Sequence, residues 1–189
     1  MNKTDRRVKY TKMILRQTLL TLLKDKPINK VTVKQLCEIA DINRGTFYSH
    51  YYDVYDLLEQ IEKELYQKVD KAVASSLSKM GDKGFMKGIL QVIADNSDLC
   101  KVLFSEYGNR DFIMKFIAIA KDSSIKSWGN LVDAPGHTLD YFYTFMANGV
   151  VGVLQTWVQG GLKQPVEEIS QIIESVSGSM LNTLIATFA

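Results

Sequence analysis

Three observations predict an all-α protein of about nine helices. Apolar residues recur at helical spacing along the 189-residue chain, and strand-like alternation bounded by turn signals does not appear at length. Charge divides unevenly: residues 1–50 hold 11 Lys or Arg against 4 Asp or Glu, whereas residues 51–189 hold 12 against 17. Composition is globular, with 46% hydrophobic residues, 23% charged and three prolines, so disorder is not expected. A basic head, residues 1–53, is expected to carry three helices, and an acidic body, residues 54–189, the rest.

Leu15, Leu19, Leu22 and Leu23 make one stripe on a first helix that ends near "KDKPINK", where Pro27 forbids continuation. Thr32 and Gln35 have capping-box spacing at the start of a short second helix, and Val31 with Leu36 supplies a hydrophobic staple. Val33, Leu36, Cys37 and Ala40 form its buried stripe, leaving Lys34, Gln35 and Glu38 outward. "ADIN" breaks the chain, Asn43 caps a third helix with Phe47 and Tyr51 inward, and Ile42 plugs the corner. Asp53 caps a fourth helix from Val54 to about Lys79, stopped by "KMGDKG" through Gly81 and Gly84. Further helices are expected near Phe85–Asp95, Leu99–Phe104, Asp111–Trp128, Leu139–Gly160 and Val166–Phe188.

Two short helices joined by a four-residue turn describe a helix-turn-helix whose second helix can enter a major groove. On its outer face Arg44 suits guanine or phosphate, Gly45 a close backbone approach, Thr46 a thymine methyl, and Tyr48 and His50 phosphate oxygens. The plainer alternative is a structural or protein-docking hairpin, since any helical hairpin has an outer face. Enzymatic function is not expected: His50 and His137 are the only histidines, and neither HExxH, GxxxxGK[ST] nor a Ser-His-Asp ordering occurs. Cys37 and Cys100 lack CxxC spacing, so two free thiols in a reducing cytoplasm are expected, without metal or cofactor. The N-terminus has no apolar run of the secretory kind.

The stretch "VTVKQLCEIADINRGTFYSHYYDVYDLL" resembles the DNA-binding domain of TetR/AcrR-type transcriptional regulators. The resemblance implies a nine-helix, two-domain fold, a homodimer on an operator duplex, and a C-terminal domain that responds to a small-molecule or protein effector. It assigns DNA contacts to Thr32, Val33, Lys34, Arg44, Gly45, Thr46, Tyr48 and His50. Val54 stands where the family often has a phosphate-binding lysine, and Lys9, Lys12 or Lys34 are the candidates to replace that contact. Further on, "YFYTFMANGVVGVLQTWVQGGLKQPVEEI" is similar to a subgroup that includes activators of dihydroxyacetone-kinase operons, in which the effector arrives through a partner protein. A repressor is the leading expectation; an activator of that kind, or a helical scaffold that binds no DNA, is the alternative.

Tyr141–Leu162 carries no charge over 22 residues, a length that could span a bilayer, but Thr144, Asn148, Gln155, Thr156, Gln159 and four glycines favour a helix buried in a bundle or dimer. Leu139–Gly160 and Val166–Phe188 are therefore expected to pair with their copies as a four-helix bundle, with Gly149 and Gly152 permitting close approach. Val166, Ile169, Ile172, Ile173, Val176, Met180, Leu184 and Phe188 form the stripe of the final helix. Such a dimer sets two recognition helices about 34–36 Å apart, or a multiple, on a near-palindromic operator. The aromatics Phe85, Phe112, Phe116, Trp128, Phe142 and Phe145 are read as core, and no ligand-binding residue is assigned.

Overall fold

A computed structural model describes residues 3–77, 86–108 and 110–188. The described residues form ten α-helices: α1 (Lys3–Leu23), α2 (Val33–Ala40), α3 (Arg44–Tyr48), α4 (Val54–Leu77), α5 (Lys87–Asp95), α6 (Ser97–Leu103), α7 (Arg110–Ala118), α8 (Lys121–Gly129), α9 (Gly136–Gln159) and α10 (Val166–Phe188). The all-α expectation holds. The expected end of the fourth helix near Lys79, the "KMGDKG" stop and Phe85 lie outside the described residues.

The helix carried across Asp111–Trp128 is two helices, α7 and α8, broken at Ile119–Ala120. Neither glycine nor proline stands there. At the break the hydroxyl of Tyr143 on α9 donates to the Ile117 carbonyl at 2.5 Å, tying the end of α7 to α9. Burial pushes the Tyr143 phenol up to about 12, consistent with a neutral donor.

Two apolar clusters hold the molecule. The larger joins Leu15, Leu19 and Leu23 of α1 to Leu36, Phe47, Tyr51 and Leu57, then continues through Leu65 and Val69 of α4 to Leu90, Leu99, Leu154 and Ile173. Burial of this run is the main stabilising term, at roughly 1.5–3 kcal/mol per fully buried large apolar side chain. The second cluster, Trp128, Val132, Leu139, Tyr143 and Leu184, lies at the far end of the body. The two do not merge. A cavity of about 790 Å³ separates them, walled by residues of α4, α5, α7, α8, α9 and α10.

Polar ties link the helices. Gln155 and Gln159 of α9 donate to the carbonyls of Phe104 and Lys101 at 3.0 and 3.1 Å, fastening α9 to the α6 end. Lys24, just beyond α1, approaches Asp98 of α6 at 3.4 Å, and Arg16 of α1 meets Glu64 of α4 at 2.8 Å. These pairs are largely exposed and add little stability each, but they locate where α1 rests on α4 and α6.

Candidate nucleic-acid interface

Local hydrogen bonds build the α2–turn–α3 unit. The Thr32 hydroxyl accepts from the Gln35 amide at 3.2 Å, which forms half of the expected capping box. The other half is absent: the Gln35 side chain accepts from Lys26 at 2.7 Å instead, because a charged donor reaches it first. Asp41 ends α2 in the left-handed region at φ 53°, a conformation its short polar side chain tolerates, and the Ile42 amide donates back to the Cys37 carbonyl at 3.0 Å. Asn43 caps α3 by accepting from the Gly45 amide at 2.7 Å. Asp53 caps α4, its Oδ1 accepting from the Tyr55 and Asp56 amides at 2.8 and 2.9 Å.

Phe47 fixes the pose of α3. Its side chain is 0% exposed, edge-on to Tyr48 at 5.5 Å between centroids and tilted against Tyr51 at 5.7 Å. With Phe47 and Tyr51 inward, Arg44, Gly45, Thr46 and Tyr48 face solvent, Tyr48 at 57% exposure. Thr32 and Lys34 are exposed at the start of α2, and Val33 is half-buried. Lys34 and Arg44 line one hollow of about 430 Å³ between α2 and α3, together with Glu38 and Asp41. Lys34 Nζ lies 3.9 Å from Glu38, so its charge is shared but not sequestered.

Two residues sit differently from the sequence expectation. The segment "GTFYSHY" is not one helix, since α3 ends at Tyr48 and Ser49 and His50 form a turn held by the His50 amide on the Phe47 carbonyl at 2.9 Å. His50 is consequently half-buried, its ring edge-on to Tyr51 at 6.3 Å. Gly45 has a local duty as well: a Cβ there would meet Asn43 Oδ1 at 3.1 Å, so the residue keeps the cap open.

Sequence reasoning passed over Tyr52, which is 85% exposed immediately after the turn. Its amide donates to Asp56 Oδ2 at 2.8 Å, and this bond, with the Gln60 amide, holds the Asp56 carboxyl below the usual carboxylate range. Tyr10 and Tyr55 are also exposed. The run of tyrosines at 48, 51, 52 and 55 was the available signal. Of the lysines weighed as substitutes for the residue at Val54, Lys9 and Lys12 are exposed, and Lys12 Nζ stands 5.8 Å from the centre of the Tyr51 ring. Val54 itself is buried among core residues.

Cys37 and Cys100 are buried free thiols, and burial pushes Cys100 up to about 12, far from a reactive thiolate. No helix among the described residues is long and apolar enough to cross a membrane.

Comparison with known proteins agrees with this geometry. The chain superposes on a TetR transcriptional regulator from Streptococcus agalactiae 2603V, with 21% identity, 92% of this chain and 97% of that one covered, and a TM-score of 0.61. A TetR/AcrR-family regulator from Aquifex aeolicus VF5 gives 14%, 90%, 99% and 0.63, and the dihydroxyacetone kinase operon activator DhaS gives 15%, 94%, 97% and 0.59. In sequence, 66 residues are 32% identical to the uncharacterized HTH-type transcriptional regulator YxbF of Bacillus subtilis (strain 168), a match that covers 35% of this chain and 17% of that protein. Residues 83–178 match the family of TetR-type transcriptional regulator C-terminal regions. This chain belongs to the TetR family of transcriptional regulators, which act without catalysing a reaction.

Proposed function

We propose that this regulator is a cytoplasmic homodimer that binds a near-palindromic operator through α2 and α3 and releases it when an effector engages its C-terminal half. Residues 1–53 serve as the reading head and residues 54–189 as the regulatory and dimerising body. The observation that carries the proposal is the sidedness of α3: Phe47 and Tyr51 bury one face, and the opposite face offers Arg44, Thr46 and Tyr48 beside Lys34 of α2. Arg44 can pair with guanine, Thr46 with a thymine methyl, and the lysines and tyrosine with phosphates. Thr32, Val33 and Gly45 lie at the helix starts where backbone amides approach the duplex; half-buried His50 holds the turn and reaches a phosphate only at its margin.

Dimerisation is supported by the outer faces of α9 and α10. Tyr141 and Phe145 are 74% and 70% exposed, Ile172 and Val176 stand beside them in exposure, and Gly149 and Gly152 have open space where a Cβ would be. The stripe read on α10 divides in two: Ile169, Ile173 and Leu184 pack inward, and Ile172 and Val176 face out. Several polar side chains of these two helices bond within their own helix. Thr144, Thr156, Ser179, Thr183 and Thr187 each donate to the carbonyl four residues earlier, as does the Asn148 amide. Those hydroxyls can be covered without being left unbonded.

An effector signal reaches the head along α4, whose N-terminus is capped by Asp53 beside the turn, and through α6, which touches both α9 and α1. A second reading, activation through a partner protein, draws on the likeness to DhaS. Recovery of bound fragments from native genomic DNA by the full-length chain, followed by titration of the recovered duplex with increasing salt, tests the proposal. Retention that weakens steeply with salt supports it, and a folded chain that retains no fragment at low salt removes it.

A further inference from the structure

The basic charge of the head stops at Arg44. Residues 45–62, which run from α3 through the turn into α4, hold no Lys or Arg and four Asp or Glu. The same stretch holds four tyrosines, at 48, 51, 52 and 55. Tyr51 is buried, whereas Tyr48, Tyr52 and Tyr55 are 57%, 85% and 51% exposed. Val54, the first residue of α4, is buried and offers a duplex nothing. The carboxylates beside the tyrosines are occupied locally. Asp53 Oδ1 accepts from the Tyr55 and Asp56 amides at 2.8 and 2.9 Å. Both oxygens of Asp56 are also engaged, one by the Tyr52 amide at 2.8 Å and the other by the Gln60 side chain at 2.9 Å. These bonds fix the backbone at Tyr52 and Tyr55 and leave the two phenols exposed next to the recognition helix.

We propose that Tyr52 and Tyr55 hold the phosphate backbone bordering the groove that α3 enters, as uncharged donors on a flank that has no lysine or arginine. This rests on α3 as the reading helix and adds two residues that grip the duplex beside it. Tyr52 follows Tyr48 by four residues, so the chain carries it no further than about 15 Å, comparable to a major groove about 12 Å wide. Tyr51, anchored in the core between them, keeps the turn against the head. A phenol hydroxyl donates to a phosphate oxygen without adding charge. It therefore neutralises no phosphate and releases no counterion, so the affinity it supplies does not change with salt. The lysines and Arg44 supply the part that does.

The test compares wild type, the double variant Tyr52→Phe with Tyr55→Phe, and Tyr52→Lys on one labelled duplex, recovered from genomic DNA by the wild-type chain. Fluorescence anisotropy is read over a series of salt concentrations. The double variant keeps both rings and loses both hydroxyls, and its melting temperature should stay at the wild-type value because both sites are exposed. Its affinity should fall by about tenfold or more at every salt concentration, with the wild-type slope retained. Tyr52→Lys sets a charge against the backbone and should steepen the slope by about 0.9 for each phosphate newly neutralised. Wild-type affinity in the double variant overturns the inference, as does a loss of affinity that comes with a shallower slope. A Tyr52→Lys slope equal to wild type places the residue away from the backbone and overturns it as well. Each of these outcomes leaves the DNA-binding regulator standing, since wild type binds the duplex in all of them. A wild-type chain that retains no duplex removes that function and this inference together.

Discussion

Phe47→Ala and Arg44→Ala, three positions apart on one five-residue helix, should fail in opposite ways. Phe47 is completely buried and packs against two aromatic rings, so its truncation loses a full Phe side chain from the core, about 3–5 kcal/mol. For a chain of this size each kcal/mol moves the melting temperature by about 2–4 °C, so the midpoint should fall by roughly 6–20 °C. Arg44 is exposed, and its removal should change stability by no more than about 0.5 kcal/mol. If its guanidinium meets a base, operator affinity should fall by about 1–3 kcal/mol, which is roughly 5- to 150-fold. Thermal melts by circular dichroism and operator titration by fluorescence anisotropy give both axes. Phe47→Ala should lose DNA binding only as its fold loosens, with affinity returning on cooling. An Arg44→Ala protein that melts early, or that binds the operator as tightly as wild type, would refute the assignment of α3 as a reading helix.

Gly152→Glu introduces a carboxylate on the exposed α9 face, where a Cβ meets open space in the single chain. Sedimentation should show a dimer for wild type and a folded monomer for the variant, because an unpaired charge is costly to bury; an intact variant dimer would move the interface elsewhere. Asn43→Ala removes the side-chain acceptor for the Gly45 amide and should cost about 0.5–2 kcal/mol in a denaturant titration, weakening operator binding without abolishing it. The Asp56 carboxyl, lowered from its ordinary 3.8 by the Tyr52 amide and the Gln60 side chain, contributes stability that is present above that value and lost as pH falls through its lowered folded value. Asp56→Asn should therefore flatten the acid limb of the stability profile below about pH 4, and an unchanged limb would show that the Tyr52 bond contributes nothing.

The parts of this fold legible in the sequence are those governed by neighbours along the chain. Thr32, Asn43 and Asp53 cap helices because each side chain meets amides two or three residues ahead. The final helix begins after Pro165 and runs Val166–Phe188, as its stripe and acidic first turn indicate. What the sequence did not reveal depends on distant partners. The α7–α8 break lies where Tyr143, 26 residues on, bonds the Ile117 carbonyl. Gln35 leaves its capping role for Lys26, nine residues back. The aromatics of the body separate only in three dimensions: Phe112 and Trp128 are buried, Phe116 and Trp128 wall the cavity, and Phe145 faces solvent. A cavity shared by six helices leaves no local pattern, since its residues have the same apolar spacing as a filled core.

Salt-dependent binding of a genomic operator fragment to this chain tests the central claim most directly. The logarithm of affinity should fall linearly with the logarithm of salt concentration, by about 0.9 per phosphate neutralised, and Lys34→Ala should lower that slope by about one for each phosphate that the dimer no longer neutralises. A folded, dimeric chain whose affinity for the recovered duplex does not change with salt, or whose slope is untouched by changes at Lys34 and Arg44 alike, would contradict the account of α2 and α3 as the DNA-reading surface.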